Sequence, residues 1–497
     1  MSGALIWRRP DHPRIRDWVE RALSLAKNSP YSSLHLQACL NAVIYYVWKG
    51  DFEACTIIVN DAKKILASRA APPIYLIGMK AAKAYFFASV GESERPLELV
   101  SEGLELAAKT GIHIMDFWLV SYGVLSALNK GDRDLIARYL GDEKSGLGTV
   151  RRIPHVIYYH QLSWFNLLFG NLFDAGIYAK KAVALARESG VPVGEAWSRL
   201  GLAEALFGSG DYVEALEELA NAEKISTKTG SLILEFVCGI IRADFAFTRG
   251  EEASGLKALQ KTFALGRRTG YVLALGFWLS SVWSRLCSKA LEADIEAEYT
   301  KGIIKKLGLV PDDFLAADEN WPWPLKVYTL GKFEIIKNGD PVFFTGKVQQ
   351  KPLEMLKALI ALGGEGISEG QLTDALWPEA EGDAAHVSFN TTLHRLRKLI
   401  ENEKTIQLRE GRVTLDRKHC WVDVWAFERV LGMASGPKKN RGGKPSALSQ
   451  YYNDRERHQY LQGAVSSGGQ SQAVVCIHPR APKEQISIVY KGGLRAL

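Results

Sequence analysis

The sequence predicts a mostly α-helical protein: a long array of stacked helix pairs, then a compact α+β module, then a low-order tail. Three observations carry that expectation. Gly50, Gly91, Gly131, Gly170, Gly210 and Gly250 follow one another at 41, 40, 39, 40 and 40 residues, the kind of ruler that repeated units keep. Phe389, Leu393, Leu396 and Ile400 recur at spacings of four, three and four, one apolar stripe on a helix. Short alternating segments at 325–336 and 405–415 bracket that helix as strands.

The array spans residues 1–308. A second glycine series, Gly111, Gly190, Gly230 and Gly270, stands twenty residues behind four members of the first. Amphipathic segments such as Tyr212 to Thr229 and Ala253 to Arg268 lie between them, so each unit reads as two helices ended by glycine turns. Ala54, Ala175, Ala215 and Ala253 follow turns at points where helices would pack closely. Ala290 stands where a seventh glycine would fall, so a seventh unit rests on the helical pattern through Leu307. At the other end, Arg14 to Lys27 reads as the second helix of a unit whose first is missing. Aromatic residues are frequent: Tyr45, Tyr46, Trp48, Phe117, Trp118, Tyr158, Tyr159, Trp164, Trp197, Trp278 and Trp283. At helical spacing such residues are mostly core, and none is assigned to binding. Residues 309–324, with Pro311, Asp312, Asp313, Pro322 and Pro324, read as an acidic, proline-bearing link.

The module spans residues 325–428. Leu325 to Leu330 and Phe333 to Ile336 alternate as strands, ahead of an Asn338-Gly339 hairpin-type turn. Lys351 to Leu362 forms a helix on Leu353, Leu356, Leu359 and Ile360, stopped by Gly363-Gly364. Ser368, three residues before Gln371, is a capping-box signature for a short helix that Pro378 ends. Asp383 is placed to cap the helix of residues 384–400. Thr405 to Leu408 and Arg412 to Leu415 then flank Glu410-Gly411 as a hairpin, with Arg409 and Arg412 at its tip. Strands, three helices and a hairpin make a winged helix-turn-helix.

On its other faces the 384–400 helix carries His386, Asn390, Thr391, His394, Arg395, Arg397 and Lys398. These are the donors and amide forks that read base edges and neutralise phosphates. His386, Asn390, Thr391 and His394 are expected at base edges or nearby phosphates. Arg395, Arg397 and Lys398 are expected at phosphates, with Arg397 also able to read guanine. A cationic helix face is more often simply solvated, so the ordered module carries this reading and the helix alone does not.

The phrases Tyr328-Thr329-Leu330-Gly331-Lys332-Phe333-Glu334, Lys351-Pro352-Leu353-Glu354-Met355-Leu356, Leu372-Thr373-Asp374-Ala375-Leu376-Trp377-Pro378, Leu393-His394-Arg395-Leu396-Arg397-Lys398-Leu399 and Trp421-Val422-Asp423-Val424-Trp425-Ala426-Phe427-Glu428 occur in that order. Through them Leu325 to Glu428 resembles the OmpR/PhoB-type winged helix as found in the SARP family of bacterial transcriptional activators. The family's Gly-Tyr-Arg wing is matched only loosely, by Gly411-Arg412-Val413. The glycine ruler is similar to the tetratricopeptide-like array of the bacterial maltose-regulator type. Together these resemblances imply an α-solenoid whose concave face takes a ligand or a partner, joined to a module that binds double-stranded DNA, with RNA polymerase as a further candidate partner. They would also imply a nucleotide-binding ATPase ahead of the array and a helical activator domain behind the module. No Gly-x-x-x-x-Gly-Lys-Ser/Thr loop occurs, and activator-like sequence starts at Val424 to Leu431 and then stops.

Composition is ordinary for a globular chain of 497 residues, with 47% hydrophobic and 24% charged residues. No apolar run reaches the length of a membrane span, and the six scattered cysteines suit a reducing, cytoplasmic setting. The net charge of +7 tells nothing about the module, because residues 324–432 hold 15 basic and 15 acidic side chains. Only His386 to Lys418 is locally basic, eight against four, a stripe of the kind that meets phosphates on one face. The excess charge lies in residues 433–497, ten basic against three acidic. No His-Glu-x-x-His, nucleophile elbow or paired metal-ligand spacing occurs. No catalytic or metal residue is assigned, and no cofactor is expected.

The tail, residues 429–497, is Gly-, Ser- and Lys/Arg-rich with little helical period. With suitable codons, Tyr460 to Gly468 and His478 to Lys491 read one nucleotide later both resemble activator-domain sequence. The expectation is a frame change between about Met433 and His458, the alternative a basic tail with non-specific phosphate affinity.

The whole predicts a cytoplasmic DNA-binding transcriptional regulator with a sensing or docking arm. Two rivals accompany it. One is an interaction scaffold whose winged module is degenerate or docks polymerase. The other is an enzyme in the array's groove, which would lack any convergent acid-base or metal set.

Overall fold

Both glycine series sit in the left-handed region: the ten residues have φ between 60° and 92°. That conformation ends one helix and turns the chain back toward the next. The computed structural model describes residues 2–68, 71–147, 152–272, 280–311, 318–343, 350–380, 382–402, 404–434, 473–476 and 487–490. Two units result, Met1–Lys306 and Leu307–Leu497.

In the first unit, α3 (Ser32–Lys49) packs on α4 (Phe52–Ser68), α5 (Pro73–Ser89) on α6 (Glu94–Thr110), and α7 (Asp116–Lys130) on α8 (Arg133–Gly146). The same pairing repeats for α9 (Arg152–Leu168) with α10 (Leu172–Ser189), α11 (Pro192–Gly208) with α12 (Tyr212–Thr229), and α13 (Leu232–Thr248) with α14 (Glu252–Thr269). Helices α15 (Ser280–Glu292) and α16 (Ala297–Leu307) follow. The first helix of each pair packs on the first helix of the next, from α3 through α15, making one inner layer. This is repeat-like helical packing, as the ruler predicts. Among the described residues no helix is long and apolar enough to cross a membrane.

Three expectations need correction. Ala290 is not the seventh turn but lies buried inside α15; the chain turns at Asp294 and Glu296, with φ of 52° and 44°. Aspartate tolerates this region better than most residues, so the glycine spacing missed it. A helix does precede α2 (Ile15–Lys27): α1 (Ser2–Arg8), only two turns long, packs on α2, α3 and α11. Ala253 is exposed; the close approach falls two residues later at Gly255, where a Cβ would come within 2.6 Å of Phe247. Of the aromatic residues, Tyr45, Tyr46, Trp48, Tyr158, Trp164, Trp197 and Trp283 are buried, while Phe117, Trp118 and Tyr159 are half-buried. Trp278 lies outside the described residues.

Stacking predicts a concave face, and the array curls so far that α3 meets α13. Lys49 Nζ donates to the Thr229 carbonyl at 2.5 Å, Ser231 Oγ to the Trp48 carbonyl at 2.5 Å, and Tyr271 Oη to the Gly50 carbonyl at 2.7 Å. Gly50 is needed twice here, for its φ of 77° and because any Cβ would overlap Tyr271 Oη at 1.3 Å.

The second unit builds one sheet in the order β3-β2-β1-β7 from β1 (Leu325–Tyr328), β2 (Glu334–Lys337), β3 (Asp340–Pro341) and β7 (Cys420–Val422), with β1 and β7 parallel. A second sheet, β4-β6-β5, joins β4 (Ile367–Ser368) to the hairpin of β5 (Ile406–Arg409) and β6 (Arg412–Leu415). Between them run α17 (Gln350–Ala361), α18 (Glu369–Leu376) and α19 (Gly382–Ile400), and α20 (Asp423–Ala434) follows. Strand β1 ends two residues early because the buried Asp423 carboxylate takes the N–H groups of Thr329 and Leu330, each at 2.8 Å. Met355, Leu359, Phe389, Leu396, Val413 and Val422 meet in one core that every helix and both sheets enter.

The link at 309–324 is not a free tether throughout, since Trp321 and Trp323 are buried at 1% and 2% exposure; residues 312–317 lie outside the described residues. In the tail, β8 (Ala473–Cys476) and β9 (Ser487–Tyr490) pair antiparallel, against the expectation of a wholly low-order segment. Their Val-Val and Ile-Val-Tyr runs favour strands, a local signal that the bulk composition hides. The rest of 435–497, and with it most of the frame-change reading, lies outside the described residues.

Candidate nucleic-acid interface

Helix α19 is oriented by its apolar side. Phe389, Leu393, Leu396 and Ile400 are buried at 1%, 2%, 0% and 3% exposure, joined by Ala385 and Thr392. Ahead of it, the capping box of α18 forms as the spacing predicts: Ser368 Oγ accepts from the Gln371 N–H, and the Gln371 side chain accepts from the Ser368 N–H at 3.0 Å. The following helix starts at Gly382, so Asp383 is not its cap. It stands in the first turn, where a carboxylate still complements the positive end of the helix.

With the helix rotation settled, the candidate residues sort into a ridge and two flanks. The ridge opposite the apolar stripe is Val387, Thr391, His394 and Lys398, all exposed and again spaced four, three and four. His386, Asn390 and Arg397 form one flank; Arg395, also exposed, lies on the other. Val387 was not legible as a site residue, yet it is 64% exposed at the centre of the face. Counting the stripe two residues back along the helix would have found it. A methyl pair in such a place suits the thymine C5-methyl group.

On α19, two of the candidates are already engaged within the protein. His386 Nδ1 donates to Glu369 Oε1 at 2.6 Å, and Asn390 Nδ2 donates to His386 Nε2 at 2.9 Å. Glu369 thereby fixes the imidazole and through it the amide plane of Asn390. Sequence spacing could not show this link, because Glu369 sits on another helix.

At the other end of the flank, α19 and β5 enclose an open cleft of about 900 Å³ lined by His394, Arg397, Lys398, Glu401, Lys404 and Arg409 among others. Arg397 is half-buried there, and its Nε is buried without a hydrogen-bond partner. Lys337 donates to Glu401 at 2.9 Å and holds that carboxyl below its ordinary range, so the cleft's acid is answered from outside. The hairpin turns at Glu410 and Gly411 with φ of 51° and 71°, a two-residue loop that sets Arg409 directly opposite Arg412. Like charges opposed across a hairpin repel and gain from an anion nearby. Arg412 is partly committed, donating through Nη1 to the Gly366 carbonyl at 3.0 Å. The structure therefore brings Arg409 together with His394, Arg397 and Lys398, and leaves Arg395 apart.

The chain matches no family model and no curated protein. Solved structures with a similar course include a Rap protein complexed with Competence and Sporulation Factor, at 9% identity over 86% of this chain and 99% of that one, with a TM-score of 0.43. Aspartyl phosphate phosphatase F from Bacillus subtilis is similar at 13% identity over 77% and 98%, with a TM-score of 0.33. A signal-transduction ATPase of the STAND class from Pyrococcus horikoshii, with a tetratricopeptide repeat sensor, is similar at 12% identity over 79% and 54%, with a TM-score of 0.33. Likeness at this level says nothing about what this chain binds.

Proposed function

We propose that the chain is a transcriptional regulator whose second unit is a winged helix that binds double-stranded DNA, and whose tetratricopeptide-like array takes up a ligand or a partner. In this reading α19 enters the major groove and the β5–β6 hairpin lies along the backbone or the minor groove. The supporting observation is Arg397: a half-buried guanidinium with an unmet Nε, in a cleft bordered by four further cationic or imidazole side chains. A buried unmet donor is costly, and a phosphate oxygen in the cleft would relieve it. Val387, Thr391, His394 and Asn390 would then read bases, while Arg397, Lys398, Arg409 and Arg412 hold the backbone.

A protein dock is the second reading, and one observation favours it. Val387 at 64% and Leu408 at 37% exposure give the same face an apolar component that a polymerase or other protein surface could cover. Selection of bound sites from random duplexes separates the two. A DNA reader enriches a defined site, and substitution of Asn390 or Val387 changes the bases enriched. A folded protein that enriches nothing contradicts the DNA reading.

A further inference from the structure

The curled array forms a partly open cavity of about 120 Å³ among the aromatic residues of its inner layer. Trp7 of α1 forms one side of it, edge-on to Trp48 with ring centroids 4.6 Å apart and 5.4 Å from the ring of Trp118. Tyr85 and Tyr122, stacked at 4.9 Å, form another wall. None of the described residues lining it is an acid, a lysine or an arginine. Ser121, His160 and Gln161 interrupt the apolar lining. Gln161, 5% exposed, donates through Nε2 to the Ser121 carbonyl at 2.9 Å and to its hydroxyl at 3.2 Å. That orientation leaves Gln161 Oε1 without a partner. The neighbouring His160 has an unpartnered Nδ1, and burial pushes its pKa down to about 4, so the ring is neutral near pH 7. Buried acceptors are nearly always satisfied, and one that is not is relieved by a donor from outside.

We propose that this cavity binds a small, uncharged, planar aromatic molecule with one N–H donor, its ring among the tryptophans and its donor on Gln161 Oε1. The inference rests on the part of the proposed function that gives the array a ligand, and needs nothing from the second unit. The size is right for one ring, since a cavity of roughly 150 Å³ holds benzene. The walls offer edges and faces to an aromatic ring. An organic cation could use the same ring faces, but no carboxylate among the described lining residues would balance its charge. Since Trp7 belongs to α1, the occupant is held between α1 and the inner helices, and it stabilises the docked position of that helix.

Fluorine NMR of 4-fluoroaniline titrated with the full chain tests this. The expected result is saturable binding, about tenfold tighter than for 4-fluorotoluene, which has the same shape but no donor. Tetramethylammonium should not displace the probe. Gln161→Leu should abolish the preference for the aniline while leaving 4-fluorotoluene bound as before. If that variant does not fold, the comparison of the two probes on the unaltered chain still decides. No saturable binding to folded protein, equal affinity for the two probes, or displacement by tetramethylammonium would each overturn the proposal. Duplex binding by the same sample reports separately on the second unit, so failure of one reading is not failure of the other.

Discussion

The two units each hold buried polar atoms with nothing to bond, but in opposite surroundings. In the array, Gln161 Oε1 and His160 Nδ1 belong to residues lining an aromatic cavity with no charged residue among its described lining. In the second unit, Arg397 Nε sits in an open cleft beside Lys398, Lys404 and Arg409. An unmet acceptor among rings selects a neutral donor; an unmet donor among cations selects an anion. The same physical signal, an unsatisfied buried group, therefore points to different partners according to the charge around it.

The sharpest break between the units comes from Leu396→Ala. Leu396 is fully buried in the core of the second unit, so the cavity should cost about 2–5 kcal/mol there. Calorimetry should show the second unit melting earlier and the array unmoved. A common shift of both would mean that the units fold as one.

Acid–base behaviour separates them next. Burial pushes the Glu143 carboxyl up from its ordinary 4.5 to about 8, against the lowering effect of the Ser121 hydroxyl. The folded state then holds a proton that the unfolded chain has released, so this contribution to stability is full below about pH 4.5 and is lost as pH rises through 8. Glu143→Gln should leave the melting temperature nearly unchanged at pH 5 and raise it relative to the parent at pH 9. His160 acts in the other sense: its depressed pKa costs stability as pH falls from 6.5 toward 4. The expected optimum for the array lies between these limbs, read by melting temperature against pH.

Closure of the array can be probed by two glycines of similar backbone. Gly50→Ala and Gly210→Ala both strain a left-handed residue, φ 77° and 92°, at about 1–2 kcal/mol each. Only at position 50 must the new Cβ also displace Tyr271. Gly50→Ala should therefore be the more damaging of the two and should loosen α3 from α13 in hydrogen exchange. Equal effects would describe an open array.

Much of this was written in local patterns. The glycine ruler, the Phe389 stripe and the capping box at Ser368 depend on neighbours within a turn or two, and all three are present in the structure. What sequence could not carry is contact between distant segments. The meeting of Gly50 with Tyr271, the hold of Glu369 on His386 and the capture of Thr329 by Asp423 leave no periodic trace. Val387 was missed for another reason: a search for polar readers passes over an apolar residue at the centre of the face. The seventh turn was missed because Asp294 replaces glycine in a conformation it can also adopt.

The smallest change in stability should accompany the most informative loss of function. Lys398→Ala is exposed and should shift folding by no more than about 0.5 kcal/mol. Arg397→Ala removes a half-buried guanidinium whose Nε has no partner and should leave the unit folded. Titration of a labelled duplex against salt with the parent and these two variants tests the central claim most directly. The parent should bind with an affinity that falls steeply as salt rises, and each variant should bind more weakly to every sequence with a slope flatter by about one unit. Folded variants that bind as tightly as the parent with the same slope, or a folded parent that binds no duplex at low salt, would contradict it.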